Sequence, residues 1–296
     1  MILSRQEGNR VSLVIPAYNE ETHLDDCLRA IAGQTVQPFE VIVVDNNSTD
    51  RTAEIARSYP FVRVVTEKRQ GIVFARNKGF NATQGDIIAR VDADVIPLPD
   101  WVERVQTAFS GSDIAAVTGL AWSAVIRLSN EQYWGNSRFW MLLYLLWSDA
   151  FFGVRTLCGA NLALRRSVWR QIRAHTCRDA QLVHEDQDLS ILIAAAGGTV
   201  RLDAGLQVVL DDTSHNDWEK FRSYMRQRAR TRHYHVARGS FQAARAAGTH
   251  VHWWHRVGIM ALIILPGSPF YLNSMYMAAL SMVRTASSRL FIEVER

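Results

Sequence analysis

Two carboxylates at a spacing of two, Asp92 and Asp94, follow the apolar run Ile87–Val91. On the end of a strand both point to the same side. Like charges that close repel unless a cation sits between or beside them. Oxygen ligands suit a hard divalent ion, Mg²⁺ or Mn²⁺, shared with substrate phosphates. A solvated acidic turn is the plainer reading, but Pro97, Pro99 and the company of Asp45 favour the metal. Asp45 ends the apolar run Val41-Ile42-Val43-Val44. A carboxylate there can accept hydrogen bonds from a nucleobase edge or a ribose hydroxyl. It can also form an Asx turn into a following helix, a role that Asn47 or Ser48 could fill instead.

A third acidic group is His184-Glu185-Asp186-Gln187-Asp188, which opens the apolar stretch Leu189–Ala196. Acids in a first helical turn complement the helix dipole. Three acids in four positions exceed that need, and a carboxylate beside a metal-phosphate site is a good general base. Asp186 is the expected base, with Glu185 as runner-up or supporting partner. The small residues of Cys158-Gly159-Ala160-Asn161 allow close backbone approach to a ligand, or simply tight strand packing. On a helix from Trp218 to Arg238, Arg222, Arg226 and Arg230 share one face by their i, i+4 spacing. A leaving diphosphate or anionic lipid headgroups suit them, and a solvated basic face is the plainer alternative. Nucleic acid is not expected, because no reader motif accompanies the arginines.

The elements that must position these residues follow from two alternating periods. Val11–Ile15, Glu40–Val44, Phe61–Val65, Ile87–Val91 and Ile114–Thr118 read as buried strands. Between them lie helix patterns: one from about Glu20 with Leu24, Cys27, Leu28 and Ile31 on a face, one through Ile55 capped by Ser48-Thr49-Asp50, then Phe74–Phe80 and Trp101–Phe109. Alternation of this kind predicts an α/β fold with a doubly wound, mostly parallel sheet. Its ligands sit at the carboxyl ends of the strands, where the acids lie. The aromatic run Phe139–Val154 predicts a core helix, or an interfacial one near a lipid acceptor.

Neither a G-x-G-x-x-G nor a G-x-x-x-x-G-K-[ST] motif occurs, which excludes the dinucleotide fingerprint and the P-loop. Three cysteines with no close pair exclude a disulfide framework and a zinc ribbon. The net charge of +4 conceals an asymmetry: residues 1–219 hold 21 Lys/Arg and 27 Asp/Glu, whereas residues 220–296 hold 12 and 2. The basic balance therefore belongs to the C-terminal part and points to an anionic partner there. We expect residues 1–218 to form the catalytic domain and residues 219–296 a basic helical extension. Residues 257–283 carry no charge over 27 positions, but Pro266-Gly267-Ser268-Pro269 interrupts them. Two short apolar helices, packed on the domain or lying in a membrane interface, are expected. The polar start, Met1 to Arg10, lacks the apolar core of a secretory signal, so a cytoplasmic protein on the inner face of the membrane is expected.

Taken in order, Val-Ile-Pro-Ala-Tyr-Asn-Glu (14–20), Val-Val-Asp-Asn-Asn-Ser-Thr-Asp (43–50), Ala-Arg-Asn (75–77), Asp-Ala-Asp (92–94), Gly-Ala-Asn (159–161) and Glu-Asp (185–186) resemble a family 2 glycosyltransferase with the GT-A fold, over roughly residues 11–235. The resemblance implies transfer of a sugar from a nucleotide-diphosphate donor, most commonly UDP, to an acceptor hydroxyl with inversion. It implies that Pro16, Tyr18, Glu20 and Asp45 hold the nucleoside, that Arg76 lies near the base or diphosphate, and that Asp92 and Ala93 touch the donor. It places the metal on Asp94 with Asp92 and His215, the base at Asp186, and the acceptor by Gly159, Ala160 and Asn161. Gln227-Arg228-Ala229-Arg230-Thr231 is similar to the Q-x-x-R-W motif of processive synthases, with Gln227 and Arg230 toward the donor and Thr231 where tryptophan would stand. A glycan or lipid-linked acceptor and peripheral membrane contact complete the expectation. A sugar nucleotidyltransferase would carry a glycine-rich loop after the first strand, where this chain has Pro-Ala-Tyr-Asn-Glu. A non-catalytic binding protein would have little use for an intact set of acids.

Overall fold

The computed structural model describes residues 9–111, 113–122, 126–128, 131–133, 137–179, 181–210 and 218–251. His215 and residues 257–283 lie outside them. The chain alternates strand and helix from its start: β1 (Val11–Ala17), α1 (Leu24–Ala32), β2 (Glu40–Asp45), α2 (Thr52–Arg57), β3 (Val62–Thr66), α3 (Ile72–Ala82), β4 (Ile87–Val91), β5 (Val95–Pro97) and α4 (Trp101–Phe109). It continues through β6 (Ala116–Trp122), β7 (Ile126–Leu128), β8 (Glu131–Tyr133), α5 (Ser137–Phe152), β9 (Asn161–Arg165), α6 (Arg166–Ile172), α7 (Glu185–Ala195), β10 (Val200–Leu210), α8 (Trp218–Ala237) and α9 (Ser240–Ala246).

Eight strands form one sheet in the order β3-β2-β1-β4-β9-β6-β10-β5, and β7 and β8 pair separately. The first four run parallel. β9 is antiparallel to both β4 and β6, so the sheet is mixed. Helices cover both faces, and strand side chains alternate between them. Leu13, Ile15, Val41 and Val43 pack with α1 and α4, while Val14, Ile42 and Val44 pack with α3, α6 and α7. Gly79 permits the α3 contact: a Cβ there would lie 2.3 Å from Val14 Cγ1 and 2.8 Å from Val44 Cγ2.

Differences from the sequence reading are local and have causes. α1 begins at Leu24 rather than near Glu20. Asn19 takes a left-handed φ of 55°, and the Glu20 and Glu21 amides donate to Thr52 and Asp50 at 2.8 and 3.1 Å. The chain is thus tied to the neighbouring loop before it can wind. α5 is a core helix, with Leu145 and Phe152 buried. Among the described residues no helix is long and apolar enough to cross a membrane.

Candidate functional site

The carboxyl ends of β1, β2 and β4 form one rim. The sheet register sets Ala17 beside Asp45 and Pro16 beside Val44. Pro16 is buried in β1, while Tyr18 stands 48% exposed just beyond it. Asp45 is buried, and its Oδ1 accepts the Ser48 amide at 3.1 Å. Asp45 thus makes the turn itself, with one oxygen, instead of leaving it to Asn47 or Ser48. Its neighbour Asn46 donates to the carbonyls of Glu67 and Arg69 and accepts from the Gly71 amide at 2.8 Å. That side chain ties the loop after β3 to the rim.

Asp92 and Asp94 are half-buried after β4, with Ala93 buried between them. Burial pushes the Glu20 carboxyl up, a hydrogen bond to His23 opposes this, and the charges of Asp94 and Asp92 add to the rise. The Cys27 thiol is raised by burial and then by the same Asp94, Asp92 and Glu20. Burial is the larger cause of both shifts, and the added contribution of Asp94 and Asp92 is a negative field that favours a cation. Among the described residues no three His, Cys, Asp or Glu side chains gather closely enough to hold an ion by themselves. The two rim carboxylates do fit the share of ligands a protein usually gives Mg²⁺ or Mn²⁺, whose other ligands are phosphate oxygens and water.

Behind the rim lies a buried array of four charged side chains. Arg76, fully buried on α3, donates from Nη1 to Glu185 Oε2 at 2.9 Å and to the Glu185 carbonyl at 2.8 Å. Its other nitrogens reach Asn77 Oδ1. Arg76 therefore backs the site through Glu185 rather than facing open space. Arg90 projects from β4 and binds Glu185 Oε1. It also binds Asp92 Oδ1 at 2.8 Å and lies 3.7 Å from Asp186 Oδ1. Burial would raise Glu185, but Arg90 and Arg76 overcome it and hold this carboxyl well below the usual range. Asp186, next in sequence, is driven the other way: burial raises it, the charge of Glu185 raises it further, and Arg90 opposes only in part. Adjacent carboxylates pushed apart in this manner are an acid/base signature.

The Gly159 amide donates to Asp186 Oδ2 at 2.9 Å. Ala160 is half-buried beside it. Asn161 is fully buried and serves the sheet: its Oδ1 accepts from Trp101 at 2.9 Å, and its Nδ2 donates to the carbonyls of Leu120 and Leu206 at 3.0 and 2.9 Å. No polar atom of that amide is left for an acceptor.

α8 turns Arg228, Thr231 and His235 inward. Arg228 binds the Tyr144 hydroxyl and donates to Ser148 Oγ at 2.7 Å. Thr231 Oγ1 accepts the His184 amide at 2.7 Å, and His235 Nε2 meets Asp188 Oδ1 at 3.1 Å. Gln227 donates to the Val183 carbonyl at 3.0 Å. Arg230 is exposed at Gln181, so its neighbour Arg228 is the guanidinium turned toward the site. The 3- and 4-residue steps of a helix dictate that choice. Sequence reasoning also passed over Arg90 and His184. An arginine inside the apolar strand Ile87-Ile88-Ala89-Arg90-Val91 was the available signal, since a buried guanidinium requires a carboxylate.

A mixed sheet of this order with acids along its carboxyl rim defines an α/β domain whose candidate site lies at the carboxyl ends of its strands. Residues 12–173 match the family described as Glycosyl transferase family 2, and the chain belongs to that family. It is 38% identical over 116 residues to Glycosyltransferase AglE of Haloferax volcanii, covering 37% of this chain and 38% of that one. It is 30% identical over 216 residues to the Probable glycosyltransferase YdaM of Bacillus subtilis, covering 66% of this chain and 49% of that one. The matched segments thus span between about a third and a half of these relatives. Among solved structures, the mannosyltransferase PcManGT of Pyrobaculum calidifontis, in complex with GDP-Man and Mn²⁺, shares the fold at a TM-score of 0.55 and 19% identity, over 92% of this chain and 80% of that one. Glucosyl-3-phosphoglycerate synthase of Mycobacterium tuberculosis, in complex with UDP, does so at 0.54 and 22%, over 76% and 79%. The fold is GT-A.

Proposed function

We propose that this protein transfers a sugar from a nucleotide-diphosphate sugar, UDP-linked in the first instance, to an acceptor hydroxyl with inversion at the anomeric carbon. The observation that carries the reading is the division of labour between Glu185 and Asp186. Arg76 and Arg90 fix Glu185 as a permanent anion, which leaves Asp186 as the carboxylate able to exchange a proton.

Asp186 takes the acceptor proton while the acceptor oxygen bonds to the anomeric carbon, and the bond to the diphosphate breaks. Positioned base catalysis is worth roughly 10²–10⁴-fold. Tyr18, Glu20 and Asp45, with Pro16 shaping β1 beneath them, form the nucleoside side of the rim. Asp94 and Asp92 would hold Mg²⁺ or Mn²⁺, and the bound ion would neutralise charge on the leaving diphosphate. Arg90 joins the two halves by touching Asp92 and Glu185 at once. The positive balance of residues 220–296 supports peripheral contact with an anionic membrane on its cytoplasmic side, and a lipid-linked or cell-envelope glycan as the acceptor.

A thermal-shift screen of UDP-, GDP- and dTDP-sugars with Mn²⁺ tests the donor. A ligand at 100 times its Kd stabilises the fold by about 2.7 kcal/mol, so the true donor should raise Tm measurably. A flat profile across all of them would count against a nucleotide-sugar site.

A further inference from the structure

From Ala150 to Arg178 the chain holds six arginines and no acid, although residues 1–219 as a whole carry more acids than bases. α6 turns this stretch into a basic outer face. Trp169 and Ile172 are buried against α3 and α7, which leaves Arg166, Arg170 and Arg173, at i, i+4 and i+7, on the other side. Arg170 and Arg173 are exposed, as are His175 and Arg178 just after the helix. Asn81 joins this face to α3 by accepting from Trp169 Nε1 at 3.1 Å and from Arg173 Nη1 at 3.3 Å, and the exposed Lys78 lies one turn before it. Among the described residues Arg170, Arg173 and Arg178 form no ion pair. Two acids border the face, and both are engaged: Asp86 with Arg10 at 3.1 Å, and Asp179 with the Gln181 amide at 2.8 Å.

The loop after α6 carries this surface onto α8. Asp188 of α7 clamps the two together, since its Oδ2 accepts the Cys177 amide at 3.2 Å and its Oδ1 meets His235 at 3.1 Å. The loop then runs along α8, where the Gln181 carbonyl accepts from Arg230 at 3.4 Å. There it borders a cleft of about 480 Å³, whose walls include Leu182, Ala229, Tyr234 and Ala237 beside Arg230 and Arg238. No acid lines this cleft. Leu182 is 37% exposed in it.

Exposed cations without counter-ions draw anions, and guanidinium groups match the oxygens of a phosphate. A cleft with apolar walls between such groups suits a partner charged at its surface and apolar beneath. A bilayer containing acidic lipids offers both, with headgroup phosphates for the arginines and an apolar layer for Leu182. Duplex nucleic acid offers the phosphates without the apolar layer.

We propose that the outer face of α6, the loop to Leu182 and the outer face of α8 form one docking surface for an anionic lipid bilayer. This docking rests on the peripheral membrane contact proposed above and extends it from residues 220–296 into the catalytic domain, with Arg170, Arg173 and Arg178 as its main contacts there.

The test is sedimentation of the full chain with vesicles of phosphatidylcholine alone, or of phosphatidylcholine and phosphatidylglycerol in equal parts. Binding to the mixed vesicles only is expected. It should be lost between about 0.1 M and about 1 M salt, as the screening length falls from about 10 Å to about 3 Å. Each arginine at such a surface contributes about a fivefold factor in binding, roughly 1 kcal/mol. The triple variant Arg170→Gln, Arg173→Gln, Arg178→Gln should therefore bind about 100-fold more weakly, with Tm and nucleotide release from a sugar donor unchanged. If that variant folds poorly, the single reversal Arg178→Glu should still weaken binding more than tenfold. Native binding by both variants would overturn the docking surface while leaving the contact to residues 220–296 in place. Equal binding to pure phosphatidylcholine, or release from the vesicles by a duplex oligonucleotide at matched phosphate concentration, would overturn it as well. A native chain that ignores all vesicles but still releases nucleotide from a sugar donor would sink the membrane contact and spare the glycosyltransferase reading.

Discussion

The carboxylate of Asp186 rests directly on the backbone of Gly159. The amide hydrogen bond is 2.9 Å long, and a Cβ added at residue 159 would fall 2.3 Å from Asp186 Oδ1. Real Cβ atoms do not approach oxygen so closely, and the obstacle is the functional group itself. Glycine is required here for space, since its φ is not among the left-handed ones. Gly159→Ala should therefore displace Asp186 and lower kcat by at least about 100-fold, with donor affinity nearly unchanged by calorimetry. Near-normal kcat in that variant would show that Asp186 is not held by this contact.

Glu185 and Asp186 should fail differently when neutralised. Glu185→Gln removes the negative charge that Arg76 and Arg90 share in a dry site. Removing one member of a buried pair costs about 3–5 kcal/mol, or a Tm loss of roughly 10 °C for a chain of this size. Asp186→Asn removes a carboxyl that burial already disfavours as an anion, and should leave Tm close to that of the native chain. Calorimetric scans of the two variants side by side decide the matter.

His184 predicts a pH dependence of known sign. Its folded value of about 4 lies below its ordinary 6.5. Between those values the unfolded chain binds the extra proton, so the histidine's contribution is complete above pH 6.5 and is lost as the pH falls toward 4. The amount is about 3 kcal/mol. Asp149, pushed up to about 6 by burial despite Arg155, acts with the opposite sign over part of this window. The measurement is therefore a comparison: the stability advantage of the native chain over His184→Gln should shrink by about 3 kcal/mol between pH 7 and pH 4 in urea unfolding. A constant difference would mean that His184 is not buried as a neutral ring.

Much of this was legible in the sequence, and the limits are physical. Ile87–Val91 and Trp101–Phe109 could be read to the residue because the first is an unbroken buried run, the second is strongly periodic, and both are sharply bounded. Asp45, Asp92 and Asp186 were readable because each follows or opens an apolar run. What escaped depends on contacts between distant parts of the chain. Arg90 meets Glu185 across 95 positions, and no local pattern records that. Asn161 looked like a ligand-facing amide because its binding partners, Trp101, Leu120 and Leu206, lie at least 41 positions away. The motif favours Arg230 over Arg228, whereas the packing of α8 against Tyr144 and Ser148 of α5 decides which of them is buried.

The rim acids lead to a metal prediction. Chelation by EDTA should abolish transfer, and Mn²⁺ or Mg²⁺ should restore it. Asp94→Asn should lower activity and raise the ion concentration needed for half of it. Full activity in EDTA would remove the cation from the account.

The central claim is that Asp186 accepts the proton of the incoming hydroxyl. Titration of Asp186→Asn with the donor, paired with single-turnover transfer, tests it most directly. The account predicts donor binding within about twofold of the native chain and transfer slowed by roughly 10²–10⁴-fold. Abolished donor binding, or transfer at the native rate, would contradict it.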